Sequence, residues 1–489
     1  MFKKFLENRA MTFFDLTNAA KSIPRDHILM RMKDLVDWNR FEDILSDYYD
    51  PTTGRPSCPL VLFRMLILEH FACLSDREVH EQVGYNLLYR AFVGLSPDEQ
   101  VPDDTTLVRF RSRLGEEGVQ RLFDELSRQL DEKGLIGRNN RVLDGSDIRA
   151  RVAIRSHAQL LRRGRRLIVE AMARVDERRA EELRAKYLEQ RRGEVEPEEE
   201  EELTRALIRE VAEVSDEQVR SRASILESML EPSDRPVSFE DPDARWGHKN
   251  KEKIFLGYKV HEAIDPDSRI ITAVDVLPGN ADESLRTGEL LASEVASRDA
   301  GAAAIMDAYY AKLSVVRQIE AADCRPCIAK LRTGVLVEGF DYDPEADQLI
   351  CSEGKRSIGK VRIDNGYQYY FSTKDCASCK RRKSCLTLGE RKGKAKPRRR
   401  VYLSDLRKAE LAAGEAGLSW RKRLYKLRSY IEPKFSEQMN RHGLRRARYW
   451  GLEKVTIQAL LNSIVVNMKR AARLLFKRRS PPAPAPAAA

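Results

Sequence analysis

At 489 residues the chain is long enough for two to four domains. Its 87 Lys/Arg against 76 Asp/Glu leave a net charge of +11, and 42% hydrophobic content includes no apolar run long enough to span a bilayer. A pI near 9.1 favours an acidic polymer as partner, most simply nucleic acid, and the opening MFKKFLENRAMTFF lacks an apolar core and a cleavage site, so the cytoplasm rather than secretion is expected.

Residues 26–136 read as helical. The apolar spacing from Pro59 to Phe71 fits a helix with Pro at its start. Ser75 followed by Glu78 predicts a capped helix start, and a helix from Asp104 carries Arg109, Arg111 and Arg113 close together. Short helices with tight turns and an Arg-rich last member predict a helix-turn-helix-like DNA-binding unit, the alternative being plain helical packing. Cys58 and Cys73 fall in this apolar stretch and are read as core residues.

The period then changes. Arg141 to Ile148 predicts a short strand ending at Asp144 and Gly145. Residues 158–230 are rich in Arg and Glu and predict a solvated helical hairpin. Phe255–Ile264 and Ile270–Leu277 flank a turn at Asp265-Pro-Asp and predict a β-hairpin, and a helix follows with Asp282 near its start. Ala302 to Met306 is an apolar run closed by Asp307. A helix over Ser314–Ala322 and a last strand at Pro326–Lys330 complete the set. With two inserts set aside, three antiparallel strands precede α/β units, which is the ribonuclease H-like order. The expected division is 1–136 helical and DNA-binding, 137–157 first core strand, 158–235 charged helical insert, 236–334 core, 335–418 Cys-rich insert, 419–479 catalytic helix region and 480–489 low-complexity tail.

Three acids stand out in that frame. Two-metal phosphoryl transfer needs carboxylates from separate elements around cations roughly 3.5–4 Å apart, and Mg²⁺ prefers such hard oxygen ligands. Asp144 and Asp307 close strands, and Glu432 is the lone carboxylate of Tyr425–Phe435, inside residues 421–479, which hold 17 Lys/Arg against 3 Glu. Asp147 is the rival to Asp144. Tyr425, Arg428 and Glu432 share one face of a helix, so Arg428 can grip a phosphate beside Glu432. Pro433 then implies either a kink, the preferred reading, or a new helix beginning there. In the Cys-rich insert, Cys376, Cys379 and Cys385 with Cys351 upstream can supply four thiolates to Zn²⁺, or remain thiols in a basic loop flanked by Lys380–Lys383 and Arg398–Arg400. Cys324 and Cys327 are read as strand residues.

Asp144-Gly-Ser, Asp307-Ala-Tyr-Tyr310 and the Tyr425, Arg428, Glu432 spacing resemble the DDE transposases of bacterial insertion sequences. The last is the Tyr-Arg-Glu signature of the insertion-sequence-four superfamily. Pro59 through Arg113 resembles that family's N-terminal helical domain, and the Cys insert resembles its eleven-eighty-two subgroup. The resemblance implies a ribonuclease H-like core, two Mg²⁺ ions, and cleavage and strand transfer at terminal inverted repeats. It implies that Asp144, Asp307 and Glu432 are the catalytic triad, that Tyr310, Tyr425 and Arg428 contact transposon-end DNA, and that a homodimer acts on double-stranded DNA. Two positions depart from the pattern: Met439 stands where the signature has Lys, with Arg441 the nearest replacement, and Tyr309 stands where Gly precedes the Tyr. A same-fold nuclease and a non-catalytic DNA-binding relative are the neighbouring readings.

Overall fold

The computed structural model describes residues 23–49, 58–96, 98–189, 197–231, 235–249, 253–328, 339–363, 366–386, 398–412 and 423–479. The N-terminal segment and the Pro/Ala tail singled out in the sequence lie outside them.

Six strands form the main sheet: β1 (Asn140–Arg149), β2 (Arg245–His248), β3 (Ile254–Ile264), β4 (Ile271–Pro278), β5 (Ala302–Met306) and β6 (Cys324–Ile328). β1 runs antiparallel to β3, and β2 and β4 share the far side of β3. On its other side β1 pairs in parallel with β5 over residues 140–142 only, and β5 pairs in parallel with β6. These are the strand directions expected from the sequence. One expectation is corrected. β1 does not end at Asp144, because Gly145 to Arg149 stay paired with His261 to Gly257. That pairing needs Gly257, whose φ is +151 and where a Cβ would lie 2.1 Å from the Ile148 carbonyl oxygen.

The N-terminal helices pack in the same core as this sheet. Ser75 and Glu78 form the expected capping box. The Arg-bearing helix, α1 (Asp104–Glu132), bends at Gly115 (φ 59) and buries Leu107, Phe110 and Leu114. Cys58 and Cys73 are exposed helix-cap residues rather than core, with Cys73 in the left-handed conformation that ends its helix.

Two C-terminal helices complete this body: α2 (Glu432–Arg441) and α3 (Leu452–Arg479). Residues 455–469 of α3 are buried on every side, the mark of a central helix. Its polar groups are used internally. The Asn467 amide donates to the Ile271 carbonyl and accepts from the Ile271 N–H, at 2.7 and 2.8 Å. Buried Lys469 pairs with Glu437, and Arg448 just before α3 pairs with Glu69. The positive charge of the last sixty residues is therefore partly spent in the interior.

The charged insert is more than a hairpin. Helices His157–Met172, Glu177–Tyr187, Pro197–Val211 and Glu217–Ser228 enclose their own core around Leu161, Ile168, Leu207 and Leu226. A buried Arg165–Glu200 pair at 2.6 Å crosses it. The Cys-rich insert holds a three-stranded antiparallel sheet (359–363, 366–370, 400–404) and a hairpin (340–343, 348–351) over a small core of Phe340, Tyr369, Phe371 and Leu403.

Candidate active site

The two aspartates are set by the sheet. β5 ends at Met306, and Asp307 caps a 3-10 turn (Ala308–Tyr310) by accepting from the Tyr309 N–H at 2.8 Å. The β1–β5 register pairs Val142 with Ile305, and two further residues along each strand place Asp144 beside Asp307. Because β5 turns away there, β1 has an open flank at Asp144.

The third acid arrives from the C-terminal region. Lys426–Tyr430 is a 3-10 helix, Ile431 makes the turn, and α2 starts at Glu432. The kinked continuous helix is thus replaced by two helices. Pro433 lies in the first turn of the second, where its missing N–H costs nothing. Three residues per turn bring Tyr425 and Arg428 to one side, and Glu432 follows Arg428 by four.

Arg428 joins the three acids. Its guanidinium lies 3.0 Å from Asp144 Oδ2, 3.0 Å from Glu432 Oε1 and 3.9 Å from Asp307 Oδ2. They line an open cleft of about 490 Å³ together with Lys259, Glu283, Tyr309 and Tyr310. Burial pushes the Asp144 carboxyl up to about 6, a rise that Arg428 opposes and Asp307 reinforces. Lys259 and Glu283 pair at 2.7 Å and cancel each other. One guanidinium is thus left facing three carboxylates.

Asp147 lines the same cleft but is not among the acids around Arg428; it pairs with Lys249 at 3.2 Å. Tyr310 is 1% exposed, stacks on buried His261, and its hydroxyl finds no hydrogen-bond partner among the described residues. Burial, then the nearby carboxylates, push that hydroxyl well above its usual range. The aromatic ring open to an incoming polymer is Tyr309, 46% exposed, with Lys312 4.6 Å over it. Tyr309, Lys259 and Glu283 were missed from the sequence, although the β1–β3 register brings Lys259 opposite Asp147.

The donor set tests the fit of a divalent cation. The carboxylates are hard ligands from three elements, and an orphaned buried hydroxyl in the same cleft calls for a polar guest. Among the described residues no three Asp, Glu, His or Cys side chains stand close enough together to hold a cation as they are placed; Arg428 stands between the carboxylates. The residues suit Mg²⁺ in kind, and Arg428 has to give way for them to close on it.

The other predicted residues scatter. Arg109 and Arg113 are exposed, Arg113 lying 4.4 Å over the Tyr49 ring. Arg111 is turned inward, bonded to Asp76 through both Nη atoms at 2.9 and 3.0 Å and 3.4 Å from Glu69, so it presents no outward donor fork with its neighbours. Met439 is packed in the core. At about 100° per residue, Arg441 lies on the far side of α2 from Glu432 and cannot take over the Lys position. Cys351, Cys376, Cys379 and Cys385 line one cavity of about 280 Å³, with the Cys376 Sγ accepting from the Arg399 N–H at 3.5 Å. Cys324 and Cys327 are buried in β6.

Two family models match the chain: "Transposase domain (DUF772)" over residues 17–113 and "Transposase DDE domain" over residues 350–472. The second range contains Tyr425, Arg428 and Glu432, while Asp144 and Asp307 fall between the two. No solved structure matches. The two matches support a DDE transposase of insertion-sequence type. No described helix is long and apolar enough to cross a membrane.

Proposed function

We propose that the chain is a transposase of the insertion-sequence-four superfamily, eleven-eighty-two subgroup, which cleaves and rejoins DNA at terminal inverted repeats. The observation that carries this is a single guanidinium within 4 Å of three carboxylates drawn from β1, the end of β5 and the start of α2. The strand order, antiparallel β1, β3 and β4 beside parallel β5 and β6, supports a ribonuclease H-like core.

Asp144, Asp307 and Glu432 would hold Mg²⁺, which supplies activation of the attacking oxygen and neutralisation of the leaving one. The chain's own part is positional. Arg428 keeps the carboxylates together before substrate arrives, then turns to a DNA phosphate, which offers the same bidentate acceptor geometry. Tyr425, with burial holding its hydroxyl above the usual range, packs beside Arg428, and Tyr309 offers a ring to the DNA. The substrate is double-stranded DNA, transposon ends and target. A homodimer holds the two ends, at the nucleoid in the cytoplasm.

The four insert cysteines, which line one cavity, would hold Zn²⁺ as thiolates once drawn together. Metal analysis of the purified protein tests this: about one Zn per chain is expected, lost in Cys376→Ser, and a zinc-free parent would sink it. The catalytic reading is tested on supercoiled DNA carrying the element's ends with Mg²⁺ or Mn²⁺. Nicked and joined products are expected from the parent and neither from Asp307→Ala; cutting without joining would mean a nuclease.

A further inference from the structure

A second charged feature leaves the carboxylate cleft along β1. Past Asp147 the strand carries Arg149, and the chain continues to Arg151; both are exposed. The segment after α2 comes back alongside. The Arg149 N–H donates to the Arg445 carbonyl at 3.0 Å, and the Ala447 N–H donates to the Arg149 carbonyl at 2.9 Å. Arg445 and Arg446 are exposed there. Trp450, 52% exposed, closes the row by donating from Nε1 to the Arg151 carbonyl at 3.2 Å. Four arginines and an indole are thus mounted on two hydrogen-bonded backbone segments rather than on a loose loop.

The exposed ridge of α2 connects this row to the cleft. Glu432, Ser436 and Asn440 are exposed at four-residue spacing. Asn440 Nδ2 donates to Ser436 Oγ at 3.1 Å, and Arg445 Nη2 donates to Asn440 Oδ1 at 2.8 Å. The acids nearby are already engaged. Asp147 lies 3.2 Å from Lys249 and 3.8 Å from Arg149. Asp241 accepts from Tyr258 and the Gly451 N–H, and Asp243 accepts from the Leu452 N–H. Four arginines and Lys249 against Asp147, Asp241 and Asp243 leave the row net positive.

We propose that Arg149, Arg151, Arg445, Arg446 and Trp450 form the track on which duplex DNA lies as it leaves the carboxylate cleft. At ~3.3 Å per strand residue, Arg149, the last residue of β1, stands about 17 Å from Asp144, and Arg151, two residues past its end, up to about 23 Å. At ~3.4 Å per base pair this is about five to seven base pairs from the cleft. The guanidinium groups contact phosphates in that stretch, and Trp450 packs on sugar or an unstacked base. The inference deepens the transposase reading and rests on it only for the direction of the DNA.

The test is fluorescence anisotropy of the full chain with a 30-base-pair duplex of arbitrary sequence from 50 to 300 mM NaCl. Each phosphate contact contributes roughly 0.9 to the slope of log affinity against log salt. The variant R149Q/R151Q/R445Q/R446Q is expected to lose about 3 to 4 from that slope and at least tenfold in affinity at low salt. Should the quadruple variant not fold, R151Q and R446Q singly are each expected to remove about one unit. In a separate cleavage assay, an Asp307→Ala protein that still cuts DNA would end the catalytic reading and leave the track standing. Unchanged slope and affinity in the arginine variants would overturn the track, as would a duplex RNA that binds more tightly and loses more.

Discussion

Two arginines in this protein are each held by acids, and they do opposite things. Arg111 lies in the interior with Asp76 and Glu69, and Arg448 reaches Glu69 at 2.9 Å while the Tyr449 hydroxyl donates to it at 3.0 Å. Two cations meet two carboxylates. Arg428 lies in the open cleft and, among the described residues, alone meets Asp144, Asp307 and Glu432. Burial pushes a carboxyl up in both places, Glu69 to about 7 and Asp144 to about 6, so a raised carboxyl does not tell the two apart. Charge balance does. The interior cluster is neutral and serves packing between the N-terminal helices and the C-terminal region. The cleft carries a surplus of two negative charges, the amount one divalent cation would neutralise.

The contrast can be broken from the structural side first. Arg111→Ala leaves Glu69 and Asp76 short of a buried partner and is expected to cost about 3–5 kcal/mol. Urea denaturation reads it, and a loss below ~1 kcal/mol would show that the interior cluster does not depend on its balance. Next comes Glu262, a fully buried acid whose Oε1 accepts from Gln438 at 2.7 Å and whose Oε2 has no partner among the described residues. Burial raises it to about 7 from 4.5. The folded protein then holds this proton more tightly than the unfolded chain, so the associated stability is complete below about 4.5 and drains away as pH rises through about 7. Glu262→Gln removes that drain. Its stability relative to the parent is expected to improve by roughly 3 kcal/mol between pH 4.5 and 9, and a gap independent of pH would contradict the assignment. Smallest is Arg428→Gln, which takes the cleft's surplus from two negative charges to three. Mn²⁺ binding without DNA, followed by electron paramagnetic resonance, is expected to tighten on the order of tenfold; weaker binding would mean that Arg428 does not compete with the cation.

Much of this arrangement was legible in the sequence. The apolar run closed by Asp307 ends as a strand there, because Ala302 to Met306 has no polar residue to expose. The capping box at Ser75 formed because its chemistry is local. What escaped depends on partners distant in the chain. Arg111 reads as one of three surface arginines until Asp76 and Tyr449 close on it. β1 continues past Asp144 only because β3 supplies Gly257 opposite Arg149. Tyr309 and Tyr310 are alike in sequence, and the stack on His261 decides which one is buried. The basic count of residues 421–479 overstates the phosphate-facing charge, since Lys434, Arg448 and Lys469 reach interior acids. The charged insert reads as a solvated hairpin because Arg and Glu dominate its composition, while the apolar residues of its four helices meet only in the shared core.

The claim on which the rest depends is that the cleft is a cation-dependent phosphodiester centre. Its most direct test places the parent and Asp307→Asn, a near-isosteric change that removes one of the surplus charges, on supercoiled DNA bearing the element's ends with Mn²⁺. The account predicts nicking by the parent only when the ion is present, and a loss of ~10³-fold or more in the variant with its thermal stability unchanged. Cleavage by Asp307→Asn at the parental rate, or by the parent in chelator, would contradict it.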